Sequence, residues 1–199
     1  MADAAEKLKT LTQQLWEVPN TKRGEIINGE LIVAPRPSGG HIGGSSSLGE
    51  EIIGPFQKNK GGGPGGWWIF FEPEVEFEFE TNHFVPDIAG WKKERMPYPP
   101  IHESIFRVVP DWICEFISPS SVRYDKVLKK NAYAKYGVKY YWIADPIAKT
   151  IEAYKLVENN QWLVVGTYTD DDKARIEPFG AIEIDLSAIW LPEPPLPEK

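Results

Sequence analysis

The segment Asp111-Trp112-Ile113-Cys114-Glu115-Phe116-Ile117 limits what this chain can fold into more than any other. After its first residue it is almost continuously apolar, the pattern of a strand covered on both faces. One carboxylate, Glu115, interrupts it near the end. An isolated buried charge is costly, so Glu115 needs a cationic partner or a metal ion. Ser118-Pro119-Ser120-Ser121 then supplies capping side chains, and the spacing predicts a helix over 122–136 that stops at Gly137. Leu128, Ala132 and Tyr136 make one stripe of that helix, while Asp125, Lys129 and Tyr133 make another. A spacing of four stacks the members of each stripe along one face. Strands are expected at 140–144, 150–154 and 162–165, with Asp145-Pro146 and Asn159-Asn160 in the turns between them.

Upstream, residues 4–16 read as a helix with Leu8, Leu11, Leu15 and Trp16 towards one face, ended by Pro19. The run from Glu25 to Val33 is a hairpin, because Asn28-Gly29 suits the two positive φ angles of a type I′ turn. A loop through Pro35-Arg36-Pro37 leads to His41 and a helix over 41–53, although Gly43, Gly44 and Gly49 make it a poor one by propensity. Residues 60–66 read as an irregular glycine-rich loop. They lack the Gly-Lys-Ser/Thr ending and the following helix of a phosphate-cradling loop. After a strand at 67–71, Val75, Phe77 and Phe79 alternate with Glu74, Glu76, Glu78 and Glu80, which gives a strand with one apolar face and one solvated acidic face. A further strand over 85–91 carries Pro86-Asp87 at its head, and a polar loop over 92–102 follows.

Length and composition fit one domain over 1–190 with a proline-rich tail over 191–199, and a 42% hydrophobic chain is no disordered segment. No apolar run approaches the roughly 18 residues of a spanning helix, and no signal-peptide pattern opens the chain. The single Cys114 excludes an internal disulfide and reads as a core residue, so a cytoplasmic location and no membrane partner are expected. The net charge of -7 weighs against a dedicated duplex binder with a basic face.

Asp87 and Glu115 on neighbouring strands, with Lys129 on the next helix, suit hydrolysis of a phosphodiester. The two carboxylates would hold a divalent cation, and the lysine would steady the attacking water or the developing charge. Taken singly, several of these residues have plainer readings. Asp87 is a common strand-start residue, and Lys129 stands beside Lys126 and Lys130 like a solvated helix lysine. Asp125 can simply pair with Lys129, and Tyr133 can pack with its hydroxyl supporting the site. His41 suits a loop or a cap, and Glu30 an exposed strand. Their joint occurrence in order carries the functional reading.

That order runs from the Asn28-Gly29 hairpin through Pro86-Asp87 and Glu115-Phe116-Ile117-Ser118-Pro119-Ser120. It continues through Asp125, Lys129 and Tyr133 to Tyr141-Trp142-Ile143-Ala144-Asp145-Pro146. It resembles the Uma family of restriction endonucleases, a branch of the PD-(D/E)xK nuclease superfamily, over about residues 10–190. The resemblance implies an α/β restriction-endonuclease-like fold, a mixed central sheet flanked by helices with the site where strands diverge. It implies Asp87 and Glu115 as metal-binding acids, joined by a backbone carbonyl beside Glu115 on Mg²⁺ or Mn²⁺. The superfamily lysine normally lies two residues after the second acid, where this chain has Ile117, so Lys129 on the helix takes that place. Glu30 and His41 match positions typical of the branch. The implied activity is metal-dependent endonuclease cleavage of nucleic acid, DNA foremost, by a homodimer. Two other readings use the same residues: a catalytically inactive binding module on the nuclease fold, and a dimeric structural subunit favoured by eight tryptophans.

Overall fold

The computed structural model describes residues 9–192, so residues 4–8 of the expected first helix and most of the tail lie outside the described residues. Thr10 opens α1 (Leu11–Trp16) with a reciprocal cap: its hydroxyl accepts from the Gln13 N–H, and the Gln13 side chain accepts from the Thr10 N–H. The hairpin forms as its turn dictates. β1 (Lys22–Ile27) pairs antiparallel with β2 (Glu30–Pro35), and Asn28 and Gly29 adopt φ of 51° and 79°. The long helix α2 (Gly39–Gln57) follows, capped by the Ser38 side chain. Then come β3 (Trp67–Phe71), β4 (Glu74–Glu78), β5 (Asn82–Phe84), β6 (Ile88–Lys92), β7 (Ile105–Phe106) and β8 (Trp112–Phe116). A π-helical turn (Tyr124–Lys129) runs into α3 (Lys130–Tyr136). The chain then forms β9 (Tyr140–Asp145), β10 (Thr150–Val157), β11 (Gln161–Thr169) and a small pair, β12 (Lys173–Ala174) with β13 (Ile184–Asp185).

The α/β class with mixed sheets and flanking helices is as expected. A six-stranded sheet has the order β11-β10-β9-β8-β6-β3, and a five-stranded sheet the order β2-β1-β5-β4-β7. In the larger sheet β8 and β9 are parallel, joined through the π turn and α3, and every other pair is antiparallel. The strand expected over 85–91 starts later, at Ile88, and a separate short strand, β5, ends just before it. β5 belongs to the smaller sheet and β6 to the larger, and Val85-Pro86-Asp87 carries the chain from one to the other. Proline has no N–H for a ladder, which makes Pro86 a natural end to strand pairing.

The β8 strand is buried on both faces, as its composition demands. Trp112, Cys114 and Phe116 face a core that includes Leu48, Ile52 and Phe56 of α2. Ile113 and Ile117 face a second core with Tyr133, Tyr141 and Phe84. Strand alternation puts Glu115 on this second side, towards the π turn and α3.

Two differences from the sequence reading have physical causes. The regular helix expected over 122–136 begins as a π turn, and the buried Tyr141 hydroxyl donates to the Asp125 carbonyl at 3.0 Å. A side chain that takes a helical carbonyl disturbs the i→i−4 ladder, and single π turns of this kind are frequent at functional sites. The glycines that weaken α2 by propensity are there for close approach. A Cβ at Gly44 would stand 2.8 Å from the buried Phe116 ring, and one at Gly43 would stand 2.4 Å from the Leu191 side chain. The first residue of the expected tail is therefore packed against a helix.

Gly44→Ala should lower the unfolding free energy by about 1–3 kcal/mol, read as a lower denaturant midpoint, because overpacking against Phe116 outweighs the better helix propensity. Gly40→Ala in the same helix has open space around its Cβ and should be neutral, or stabilising by up to about 1 kcal/mol. Equal midpoints for the two variants would contradict this account of the glycines.

Candidate active site

The crossing at Pro86-Asp87 delivers Asp87 to the start of β6, beside the end of β8. The pairing of Ile88 with Cys114 sets the register there. The Phe116 N–H donates to Asp87 Oδ2 at 2.8 Å, and the Asp87 N–H donates to Glu115 Oε2 at 3.3 Å. Each acid is thus tied to the other's strand. Glu115 Oε1 accepts from the Tyr133 hydroxyl at 2.6 Å and from Lys129 Nζ at 3.2 Å. Lys129 also reaches Glu25 Oε2 at 3.0 Å and Asp125 Oδ1 at 3.4 Å. On the other flank, Arg23 holds Asp87 Oδ1 at 2.8 Å and Glu72 at 2.7 Å, and His41 Nε2 lies 2.8 Å from Asp87 Oδ2. The cluster opens into a pocket of about 370 Å³ lined by Ser38, Arg36, Ser118 and Tyr124, among others.

Glu115 is 1% exposed and Lys129 3%, and Glu25, Asp87 and Asp125 are also buried. Four buried carboxylates therefore face two permanent cations, Arg23 and Lys129. The imbalance shows in their proton affinities. Burial pushes the Glu115 carboxyl well above the usual range, Lys129 pulls it down, and Asp87, Asp125 and Glu25 push it further up. Burial raises Asp125 too, against the pull of Lys129. At Asp87 burial acts upwards, but the contact with His41 and the charges of Arg23 and Lys129 outweigh it and hold the carboxyl below its usual range. For Lys129, burial opposes the charge, but Glu115, Glu25 and Asp125 outweigh it and hold its pKa well above the ordinary value. The site thus separates one carboxylate that stays ionised from another that holds protons readily.

These residues fit a hard divalent cation. Glu115 Oε2 and Asp87 Oδ1 each have one protein partner, so each keeps acceptor capacity, and both residues line the pocket. Among the described residues no three His, Cys, Asp or Glu side chains form a ready-made cage. One or two carboxylates, with water and substrate phosphate completing the shell, are the usual protein contribution to a Mg²⁺ site.

Of the residues singled out from the sequence, Asp87, Glu115, Lys129, Tyr133 and His41 converge here, and Asp125 joins them as a buried partner of Lys129. Glu30 does not. It is exposed at the hairpin end opposite Ile27, as an ordinary strand charge would be. The hairpin contributes Arg23 and Glu25 instead, and sequence reasoning missed both. Their i, i+2 spacing on β1 was the available signal, since it puts both side chains on one face of the strand. Glu25 also accepts from the Val85 N–H at 2.7 Å, which fixes the chain just before the crossing.

The mixed sheets with their flanking helices give the protein a restriction-endonuclease-like fold. A family model described as "Uma2: Putative restriction endonuclease" matches residues 9–188, and the chain belongs to that family. Among solved structures, one titled as a "putative nuclease belonging to DUF820" from Anabaena variabilis ATCC 29413 shares the fold, with a TM-score of 0.71 and 22% identity. That match covers 92% of this chain and 97% of the other. No protein with a curated description matches.

Lys129→Met should cost about 3–5 kcal/mol at neutral pH, because it leaves buried carboxylates without their shared cation. Part of that loss should return on acidification from about pH 8 to about pH 5. The sign follows from Glu115: its folded pKa lies above its unfolded value, so the folded state binds the extra proton and gains stability as pH falls. Denaturation curves across that range test it, and a loss that is constant with pH would contradict it.

Proposed function

We propose that this protein is a metal-dependent endonuclease that hydrolyses phosphodiester bonds of DNA, with Asp87, Glu115 and Lys129 as its catalytic residues. The excess of buried carboxylates over cations at the sheet junction carries this reading, because it leaves negative charge that a divalent cation would offset. Bound at Asp87 and Glu115, Mg²⁺ (or Mn²⁺) supplies Lewis-acid polarisation of the phosphate and a more acidic water. The chain's own side chains do the rest. Lys129 presents a permanent positive charge beside Glu115, where it can orient a nucleophilic water and counter charge building on the phosphoryl oxygens. Tyr133 fixes the Glu115 carboxylate by donating to Oε1, and Arg23 and His41 hold Asp87 from the opposite flank. Burial opposes ionisation of Asp87, but the contact with His41 and the charges of Arg23 and Lys129 outweigh it and favour the ionised form that a cation needs. The free, buried Cys114 fits a reducing compartment, and we assign the activity to the cytoplasm.

Purified protein should nick plasmid DNA with Mg²⁺ or Mn²⁺ and stop on chelation. Asp87→Asn and Glu115→Gln should each reduce cleavage by about a hundredfold or more, and Tyr133→Phe by about 10–100-fold. Calorimetry with Mn²⁺ should show heat for the native chain and none for the Asp87→Asn, Glu115→Gln double variant. Undiminished cleavage by the folded double variant would assign the activity to a contaminant.

We further propose that the protein pairs with a second copy, as cutting both strands of a duplex favours. The edge strand β11, Gln161-Trp162-Leu163-Val164-Val165-Gly166-Thr167-Tyr168-Thr169, has no charged residue, and Leu163 and Val164 are exposed on it. Uncharged edges of this length invite pairing with another chain. At the opposite edge of the sheet, the Gln57 side chain accepts from the Ile69 N–H of β3 at 2.7 Å. Sedimentation should give a dimer for the native chain and a monomer for Val164→Lys. A monomeric native chain would remove this proposal.

A further inference from the structure

Arg23 has a feature that its two ion pairs leave unexplained. Its side chain is 11% exposed and its Nε is buried, yet Nε finds no hydrogen-bond partner among the described residues. Buried donors are nearly always satisfied, and one left open at a pocket wall points to a ligand that supplies the acceptor. Arg23 lines the pocket beside Asp87, and so does Arg36, which the hairpin brings close: Lys22 is paired with Pro35 and Arg23 with Ala34. Arg36 is exposed, its Nε donates to the Asn20 carbonyl at 3.1 Å, and it pairs with no carboxylate among the described residues. An inner arginine with an open donor and a rim arginine without a counter-ion thus share one wall. Arg36 keeps its two terminal nitrogens for the oxygens of a phosphate, and Arg23 keeps its Nε–H. Ser38 and Ser118 line the same pocket.

We propose that Arg23 and Arg36 form an oxyanion site that seats a phosphate of the nucleic-acid backbone beside the Asp87–Glu115 pair. The assignment rests on the reading that this pocket takes nucleic acid, and it extends that reading to residues outside the acid–lysine set. Arg23 then has two tasks. It holds Asp87 through one terminal nitrogen and offers Nε–H to the phosphate, while Glu72, on the second terminal nitrogen, keeps the guanidinium plane in place. The site also accounts for how a chain of net charge -7 can engage a polyanion: the contact is made by a local pair of arginines and not by a basic face.

The test is binding without cleavage, using the full chain, a fluorescent oligonucleotide and EDTA over a range of salt concentrations. The slope of log affinity against log salt should fall by about one for Arg36→Gln and about one for Arg23→Gln. Inorganic phosphate should raise the melting temperature of the native chain and leave that of Arg23→Gln unchanged. Arg23→Gln also frees Asp87, so a melting curve accompanies each measurement. If that variant fails to fold, Arg23→Lys, which keeps a charge but loses the Nε–H donor, should bind several-fold more weakly. Unchanged slopes in the folded variants overturn the proposal, as does a native chain that does not bind the oligonucleotide. A phosphate-dependent melting shift with unchanged oligonucleotide slopes would identify a site for free phosphate and overturn the backbone assignment. Normal arginine-dependent binding in EDTA with no cleavage in Mg²⁺ would retire the hydrolase and leave this site standing.

Discussion

The rest of the molecule is arranged around the ammonium of Lys129. It lies within 3.4 Å of carboxylates from three different elements: Glu25 of β1, Glu115 of β8 and Asp125 of the π turn. Without that charge in place, the smaller sheet, the larger sheet and the crossover helix would meet over mutually repelling acids. Desolvating so many ionised groups is expensive, and hydrophobic side chains of similar volume would often be as stable. Stability alone therefore does not account for the burial. Buried ionisable groups with strongly shifted proton affinities gather at functional sites more than elsewhere, and the proposed function rests on that tendency.

The division of the sheets is the second element of the design. Pro86 ends pairing with the first sheet, and Asp87 begins the approach to the second. Asp87 thus stands where backbone pairing lapses and the pocket opens. Reciprocal N–H contacts between Asp87, one residue ahead of β6, and the Glu115–Phe116 segment of β8 tie the spacing of the two acids to the β6–β8 register. Rigid elements position a site more closely than loops do, and here both acids are held by the same pair of strands.

Much of this was legible in the sequence. The apolar run of β8 with one acid in it, the Asn28-Gly29 turn and the helix stop at Gly137 each follow from local chemistry. Asp87, Glu115 and Lys129 stand out as a set by their order along the chain and by the resemblance to the Uma family, and not by any local pattern. The parts that escaped depend on distant partners. Arg23 and Glu25 look like ordinary charges of an exposed hairpin until the fold lays that hairpin across the acids. The glycines of α2 look like poor helix formers until Phe116 and Leu191 press against them. The π turn answers to the Tyr141 hydroxyl, and the break at Pro86 answers to which sheet each flanking strand joins. Local patterns do not encode such long-range meetings.

The π turn also makes the site sensitive to chain length in a particular way. A helix of regular pitch advances about 100° per residue. Widening one turn absorbs a residue's worth of rotation before Lys129 and Tyr133 come round to Glu115. Removing a single residue ahead of Tyr124 would not simply shorten a surface loop. It would turn the lysine and the tyrosine together away from the acid, so this segment of the family should accept substitutions far more readily than insertions or deletions.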